Sequence, residues 1–328
     1  MTRPMTNEAF HDIHTAMRRA ARATWLVRND DRDADAWAKE DKTPVTVADL
    51  AAQAFILGAI ARHFPEDNIF AEEDPASLAD DTRASRVREV MEEVLGTTVS
   101  NGEINDAVGH RGDATNTTRW FVDPLDGTKG FVRGLLYAVA AARCVDGQLE
   151  RSWLAVPGKA EALPSVVGGL YHAVAGEGAW MCKLSGDDEP STILPPDLPA
   201  AEEILATNLK VVGSRAHGGA TLPKPIEDAG IPATNIPVDS QAKYAALAVG
   251  EAHLYARKPS ASFGAFFAWD HAPGALLLQE LGGRVTDING KEMDWMTGSR
   301  LEHNEGLLAT INSDIHDHLL PVFRSTPR

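Results

Sequence analysis

Residues 120–131, WFVDPLDGTKGF, place two aspartates in the middle of an otherwise apolar stretch. Asp123 and Asp126 follow directly on a strand-like run, so we expect them to emerge at the end of a strand, in a turn fixed by Pro124 and Gly127. Two hard oxygen ligands on one tight turn suit magnesium, which proteins bind through a few carboxylates together with water and substrate phosphate. An ordinary polar turn is the alternative, because Pro, Asp and Gly are common turn residues.

The spacing of these aspartates distinguishes between two kinds of phosphate chemistry. Phosphatases that form an aspartyl phosphate use a strand-end D-x-D-G-T motif, in which the first aspartate is the nucleophile and the second is an acid. The sequence here reads D-x-x-D-G-T. This spacing disfavours the nucleophilic mechanism and favours a pair of metal ligands.

The length and composition are those of a globular protein with one large domain or two closely associated domains. The chain has 328 residues, of which 44% are hydrophobic and 24% are charged, and such a chain can bury a sizeable core. Its formal net charge of −16 would repel a polymeric phosphate backbone, so nucleic-acid polymers are not expected as partners. A small anionic substrate is compatible with this charge if metal ions or local cations offset the repulsion.

The cysteines and the first residues bear on the cellular compartment. Cys144 and Cys182 are far apart, with no paired spacing, and indicate neither a disulfide framework nor a zinc site. The start, MTRPMTNEAFHDIH, lacks the apolar core of a signal peptide, and no run approaches the length of a membrane span. We therefore expect a cytoplasmic protein with no membrane association.

The chain before the quoted stretch is mainly helical. Apolar residues recur at helical spacing near the N-terminus, and an alanine-rich segment with Asp49 near its start has the same pattern. The run NIFAEED reads as a short strand that ends in carboxylates. The predicted elements are helices at 6–28, 46–63 and 85–95, a strand within 68–74 and a Gly/Asn-rich loop at 96–116.

From residue 119 onward the chain changes to short apolar runs broken by glycine or Asp-Gly, which read as sheet strands. These runs are RWFVD, YAVAAARCVDG, SWLAVPG and GLYHAVAGEGAW. Residues 183–206 are rich in Pro, Asp and Glu and read as a surface connection. The segments that follow alternate strand, loop and helix signals, which indicates an α/β unit.

Three further acidic side chains stand where an apolar run ends or a helix opens. Asp49 lies near the start of the second predicted helix, Glu72 closes a strand-like run, and Asp270 separates the run FFAW from a predicted helix. Taken alone, the acidic run Glu72, Glu73 and Asp74 is more typical of solvated surface. Taken alone, Asp270 is more typical of a helix N-cap. An acid at such a position can also face a metal or a phosphate.

Taken together, four motifs resemble the lithium-sensitive, magnesium-dependent phosphatases of the inositol monophosphatase superfamily. The motifs are KEDKTPVTVADLAAQAFI, FAEED, WFVDPLDGTKGF and AWDHAPGALLLQELGG, in matching order over most of the chain. Within the superfamily, DGTKGF, DKTPVTVAD and the later DSQAKY look most like the 3′(2′),5′-bisphosphate nucleotidases. That resemblance implies hydrolysis of adenosine 3′,5′-bisphosphate to AMP and phosphate, with its sulfated relative as a further candidate substrate.

The resemblance also implies an architecture and a cofactor. The α/β fold class would take the form of a five-layered αβαβα sandwich, with an α+β first half (1–150) that carries most metal ligands. An α/β second half (151–328) would carry Asp270 and the substrate-binding residues. Two or three magnesium ions would be bound, lithium would inhibit, and the protein would be a monomer or a homodimer.

Residue roles follow from the same resemblance. The superfamily implies that Asp49 and Thr128 polarise the attacking water, and that a two-metal clamp neutralises the phosphate. The implied metal ligands are Glu72, Asp123, Asp126, Asp270 and the main-chain carbonyl of Leu125. The implied substrate-binding residues are Gly127, Thr128, His217, Ser240, Lys243 and Arg257, the last two suited to a phosphate by their charge.

Two other functions fit parts of the sequence. The same site could act on an inositol phosphate, including polyphosphorylated forms, because a second phosphate on inositol could also use Lys243 and Arg257. A catalytically silent metal- or nucleotide-binding regulator is the third possibility, although a silent relative has no need of both water activators and all ligands. Ala71, where the family commonly has glycine, and residues 259–270 (PSASFGAFFAWD) depart from the family pattern.

Overall fold

Two β-sheets organise the chain in the computed structural model, which describes residues 3–30, 36–38, 44–158, 163–186, 190–214, 222–258 and 264–325. Two short strands, β1 (Trp37–Ala38) and β2 (Pro44–Val45), form a separate antiparallel pair. The larger sheet has seven strands that are neighbours in chain order. They are β3 (Asn68–Ala71), β4 (Arg119–Asp126), β5 (Ala138–Val145), β6 (Gln148–Ala155), β7 (Gly169–Val174), β8 (Gly178–Lys183) and β9 (Ser191–Ile193).

The larger sheet is buried on both faces, which explains why its strands read as nearly continuous apolar runs. Only the β3–β4 pair is parallel among its strand pairs, and the others are antiparallel. Along β5, Val139 and Ala141 belong to one buried cluster, and Ala140 and Ala142 to the cluster on the opposite face. This alternation follows the two-residue period of a strand.

The smaller sheet has five strands in the order β11-β10-β12-β14-β13. β10 (Leu209–Gly213) pairs in parallel with β11 (Ala233–Pro237) and β12 (Leu254–Arg257), whereas β14 (Leu307–Thr310) pairs antiparallel with β12 and with β13 (Arg284–Thr286). The alternation of strand and helix in this part of the chain confirms the predicted α/β unit.

Ten α-helices in the described ranges cover the sheets. They are α1 (Asn7–Arg28), α2 (Val47–His63), α3 (Asp81–Leu95), α4 (Asn101–Gly109), α5 (Thr128–Val132), α6 (Ala201–Thr207), α7 (Lys224–Asp228), α8 (Ala242–Ala248), α9 (Ala272–Gln279) and α10 (Ser313–Ser325). α1 to α4 pack on one face of the larger sheet, and α8 and α9 lie between the two sheets. α6, α7 and α10 cover the outer face of the smaller sheet. The layers therefore run αβαβα, as predicted.

The ends of the first two helices agree with the sequence pattern. The predicted helices at 6–28 and 46–63 correspond to α1 and α2. Thr46 caps α2, because its side chain accepts the N–H of Ala48 at 3.2 Å and its own N–H donates to Asp49 Oδ2 at 2.8 Å. This reciprocal arrangement is a capping box, and it fixes Asp49 in the first turn of the helix.

Two predicted connections are wrong in part. The predicted loop at 96–116 contains α4, whose start is held by a second capping box between Ser100 and Glu103. The predicted connection at 183–206 contains the edge strand β9 and all of α6 except its last residue, Thr207. The helix predicted at 85–95 begins earlier, at Asp81.

The larger sheet continues beyond residue 150, where the sequence suggests a division into two halves. β6 includes residue 150, and the last strand of this sheet ends at Ile193. The chain therefore passes from one sheet to the other between Ile193 and Leu209. A division into two folding units at residue 150 stays a prediction. Within the described ranges, no helix has the length and apolar character needed to cross a bilayer.

Candidate metal centre

Asp123 and Asp126 lie in the last part of β4 and not beyond it, and the turn that they share is formed by an irregularity in the pairing of this strand. The register of β4 against β5 shifts between Asp123 and Asp126, as expected for a β-bulge. The N–H of Leu125 donates to Asp123 Oδ1 at 3.1 Å, which closes the turn. Gly127 then adopts a φ of 92°, a left-handed conformation that favours glycine, and α5 begins at Thr128.

The structure brings this turn together with Asp270. One carboxylate oxygen from each of Asp123, Asp126 and Asp270 lies within 4.8 Å of the corresponding oxygens of the other two. Asp270 lies just before α9, and the residue at the N-cap of that helix is His271, so the alternative role of Asp270 as N-cap does not apply. Three carboxylates at this separation form a set of hard oxygen donors that suits a cation such as magnesium.

Burial and repulsion between like charges raise the pKa of all three carboxyl groups. Burial, followed by repulsion from the neighbouring carboxylates, raises the pKa of Asp123 and of Asp270 well above the usual range. The same two causes raise the pKa of Asp126 to about 6. Buried carboxylates that repel one another in this way are stabilised by a bound cation.

Glu72 extends this group of acids from the end of β3. Its N–H donates to the carbonyl of Val122 at 3.2 Å, which continues the pairing of β3 with β4. Its side chain is hydrogen-bonded to Asp123, a contact that adds to the raised pKa of Asp123 after the larger effect of burial. The next residue, Glu73, is held on α2 instead, because its N–H donates to Gln53 Oε1 at 3.0 Å. Glu72 thus contacts the cluster through its side chain.

Asp49 and Thr128 meet beside the turn. The Thr128 hydroxyl lies 3.2 Å from Asp49 Oδ1 and 3.1 Å from the carbonyl oxygen of Leu125, and its single proton can be donated to one of them at a time. The other carboxylate oxygen, Asp49 Oδ2, accepts the N–H of Thr46 at 2.8 Å and its hydroxyl at 2.5 Å. The capping box of α2 therefore orients Asp49 toward Thr128.

Residues just before α8 contact the turn from the other side. The N–H of Gln241 donates to Asp126 Oδ2 at 2.6 Å. Ser240 has a φ of 66°, and a Cβ added to Gly127 would lie 3.1 Å from the Cβ of Ser240. The lack of a side chain at Gly127 therefore allows the segment before α8 to approach the turn at Asp126 closely.

Two basic residues predicted to bind substrate lie near the carboxylates. Burial raises the pKa of Asp126 and Asp270, but the ammonium group of Lys243 lowers both values, and the guanidinium group of Arg257 lowers that of Asp270. Lys243 is only 6% exposed, and its Nζ donates to the carbonyl of Ser240 at 2.9 Å. Arg257 is half-buried, with its guanidinium carbon 4.9 Å from the centre of the Phe266 ring. His217, the remaining predicted substrate ligand, lies outside the described residues.

The sequence profile of the Inositol monophosphatase family matches residues 8–320 of the chain. The chain belongs to the inositol monophosphatase family. Among curated relatives, a 3′(2′),5′-bisphosphate nucleotidase of Schizosaccharomyces pombe is 33% identical over 317 residues, which cover 90% of this chain and 89% of the relative. The 3′(2′),5′-bisphosphate nucleotidase 2 of Candida albicans is 31% identical over 309 residues, with 86% of each chain covered.

Solved structures agree with the family assignment at the level of the fold. An inositol monophosphatase from Anabaena superposes with a TM-score of 0.62 at 21% identity, covering 98% of each chain. The extragenic suppressor protein suhB of Bartonella henselae superposes with a TM-score of 0.63 at 17% identity, covering 98% of this chain and all of the other. The layered architecture is therefore shared with proteins of the inositol monophosphatase family.

Gln241 is a further residue at the site that is not predicted from the sequence, although it lies within the family-like motif DSQAKY between Ser240 and Lys243, which are predicted. Its side-chain Nε2 donates to the carbonyl of Trp269 at 3.0 Å, and its main-chain N–H donates to Asp126. Both partners are remote in sequence from Gln241 and stand out as contacts only in the folded protein. A glutamine at the start of a helix has no distinguishing signal in a single sequence.

Proposed function

We propose that the chain is a magnesium-dependent phosphatase that hydrolyses the 3′-phosphate of adenosine 3′,5′-bisphosphate to AMP and phosphate. The sulfated relative of this nucleotide is a further candidate substrate. The nucleotidase names of several full-length relatives support the substrate. The observation that carries the proposal is the cluster of three aspartates beside the Asp49–Thr128 hydrogen bond.

The donor set fits magnesium. The cluster contains only carboxylate oxygens, with the Leu125 carbonyl nearby, and the pKa of each clustered aspartate is raised by burial and then by its neighbours. A hard divalent cation would relieve this repulsion, whereas the cluster offers no sulfur or imidazole donor of the kind that zinc prefers. The residues that would hold magnesium are Glu72, Asp123, Asp126, Asp270 and the carbonyl of Leu125. When bound, the metal would neutralise phosphate charge and lower the pKa of water.

The Asp49–Thr128 pair supplies the base for hydrolysis. With Asp49 Oδ2 held by Thr46, Oδ1 is left to accept the Thr128 proton, so the lone pairs of the Thr128 oxygen can accept a proton from water. As the water oxygen bonds to phosphorus and the bond from phosphorus to the 3′-oxygen breaks, a water proton passes to Thr128 Oγ1 and the Thr128 proton to Asp49. The leaving 3′-oxygen takes a proton from solvent.

Ser240, Lys243 and Arg257 would account for the preference for a second phosphate. Arg257 is half-buried, which supports a direct contact of its guanidinium group with the 5′-phosphate. Lys243 is buried beside the carboxylates, so its positive charge would attract an anionic substrate inside the site and not at the protein surface. These two cations also offset part of the repulsion that the acidic cluster exerts on an anionic substrate.

A substrate comparison tests the proposal. Phosphate release is measured for adenosine 3′,5′-bisphosphate, inositol 1-phosphate, inositol 1,4-bisphosphate and fructose 1,6-bisphosphate, with magnesium, with a chelator, and with added lithium. We expect the nucleotide to have the highest kcat/KM, and activity to be lost with the chelator and reduced by lithium. A preference for an inositol substrate would refute the nucleotidase assignment, and no turnover of any substrate would favour the regulator.

A matched pair of variants tests the metal site. Asp126→Asn removes one charge from the cluster and should abolish turnover, whereas Asp106→Asn removes an exposed aspartate from α4 and should leave kcat unchanged. Circular dichroism and thermal unfolding establish that both variants are folded. Turnover by Asp126→Asn close to that of the natural protein would remove the metal role of the turn.

A further inference from the structure

Gln241 connects two segments that carry clustered aspartates. Its main-chain N–H donates to Asp126 Oδ2 at 2.6 Å, and its side-chain Nε2 donates to the carbonyl of Trp269 at 3.0 Å. Trp269 directly precedes Asp270. One residue, itself only 2% exposed, is thus hydrogen-bonded on one side to a clustered carboxylate and on the other to the residue before a second one.

These two segments belong to different parts of the fold. Asp126 ends β4 in the larger sheet, and Asp270 precedes α9, which packs between the sheets. The β-bulge shapes the Asp126 turn, but it has no bearing on where Asp270 lies. Repulsion between ionised carboxylates favours a larger separation of the two segments when no cation is bound, and a hydrogen bond that joins the segments opposes that movement.

The backbone around Gln241 is well suited to this task. Ser240 adopts the left-handed φ of 66°, and its hydroxyl oxygen accepts the N–H of Ala242 at 3.2 Å. This turn directs the next N–H, that of Gln241, to Asp126. The side-chain amide is also buried. Its Nε2 donates to the carbonyl of Trp269, and the amide is hydrogen-bonded to Asp126 as well, whereas its Oε1 atom has no hydrogen-bond partner among the described residues.

We propose that Gln241 is a positioning residue that holds the Asp126 and Asp270 segments at a fixed separation and thereby sets the affinity for magnesium. The inference rests on the magnesium site of the proposed function, which it deepens by naming a residue that is not one of the proposed ligands but acts through the segments that carry them. Groups that orient metal ligands in this way typically contribute roughly 10- to 100-fold to metal affinity or activity.

The test is Gln241→Met, which keeps the length of the side chain and removes its donor. Magnesium binding is measured by calorimetry without substrate, and activity is measured as a function of magnesium concentration. Since the main-chain N–H to Asp126 remains, we expect an effect at the lower end of that range, a dissociation constant about 10-fold higher. The magnesium concentration for half-maximal activity should rise equally, with an unchanged KM for the nucleotide at saturating magnesium.

The control is Thr286→Val, which removes another buried polar contact, the hydrogen bond from the Thr286 hydroxyl to the carbonyl of Asp287 at 2.7 Å on β13. It should lower stability without changing magnesium affinity. If Gln241→Met does not fold, Gln241→Asn retains an amide that is too short to reach Trp269 and should weaken magnesium binding similarly. An unchanged magnesium affinity in the folded Gln241 variant would overturn the inference.

Failure of this inference and failure of the proposed function give different results. If the natural protein binds magnesium and hydrolyses the nucleotide while the Gln241 variant does both equally well, only the positioning role is wrong. If the natural protein binds magnesium but does not hydrolyse the nucleotide, the substrate assignment is wrong, and the calorimetric comparison still decides the role of Gln241.

Discussion

Replacing Asp126 with asparagine should make the magnesium-free protein more stable while it abolishes activity. The pKa of Asp126 is about 6 in the folded protein, against an ordinary value of 3.8, because burial and neighbouring carboxylates disfavour its charge. At roughly 1.36 kcal/mol for each pH unit, this difference corresponds to about 3 kcal/mol of destabilisation when the carboxylate is ionised. Asparagine carries no charge, and its Oδ1 can still accept the N–H of Gln241.

The size of the effect depends on pH. Below pH 3.8 the carboxyl group is protonated in both the folded and the unfolded chain, so the substitution gains nothing from the charge. Between pH 3.8 and about 6 the side chain of residue 126 is ionised in the unfolded chain but still protonated in the folded protein. The unfolding free energy of the natural protein therefore falls as pH rises. Above about pH 6 the carboxylate is ionised in both the folded and the unfolded chain, and its full destabilising effect on the folded protein remains. The advantage of the variant should therefore grow between acidic and neutral pH and then stay constant.

Urea unfolding at several pH values, with a chelator and with magnesium, measures this effect. With magnesium the order should reverse, because the natural protein gains binding free energy that the variant lacks. Asp12→Asn is the control: burial raises the pKa of Asp12, but hydrogen bonds from Arg62 and His63 outweigh it and lower the pKa, so this substitution should not stabilise. A variant at Asp126 that is no more stable than the natural protein in chelator at neutral pH would refute the reasoning.

Three further changes test the site and the larger sheet that carries it. Thr128→Val should lower kcat at least about 100-fold with little effect on unfolding, whereas Thr128→Ser should retain activity, and equal rates for both would contradict a role for the hydroxyl. Gly127→Ala forces a side chain into a φ of 92° with its Cβ 3.1 Å from that of Ser240, and should cost about 1–2 kcal/mol of unfolding free energy. Arg143→Met leaves Asp67 buried without the 3.0 Å ion pair and should cost about 3–5 kcal/mol in urea unfolding. A loss below about 1 kcal/mol would show that Asp67 keeps other adequate partners.

The clustered acids can be found from the sequence because each stands at a boundary that local patterns reveal. Asp126 and Glu72 follow apolar strand-like runs, and Asp270 stands between such a run and a helix. The two-residue and 3.6-residue periods that indicate these elements depend only on neighbouring residues. The family motifs then add the order of the segments, which is how the layered architecture is predicted.

Other features depend on contacts that no local pattern contains. The Gly and Asn content of α4 favours the prediction of a loop, although the capping box of Ser100 and Glu103 is a sequence pattern that indicates the start of a helix. The burial of Lys243 depends on the packing of α8 between two sheets, so a single sequence that shows a lysine after DSQ predicts a solvated side chain. The bond from Gln241 to Asp126 joins residues that come together only when both sheets are formed.

The contact between Asp126 and Gln241 also has a consequence for biosynthesis. The two residues are separated by 115 positions, so a ribosome that adds roughly 5–20 residues per second needs about 6 to 23 s to make the second after the first. During that interval the nascent larger sheet carries its acidic turn without the N–H donor and without Asp270. A cation held by both segments can therefore stabilise the fold only after residue 270 has been made, whereas the larger sheet, whose last strand ends at Ile193, can begin to fold earlier through its own strand pairing and apolar packing.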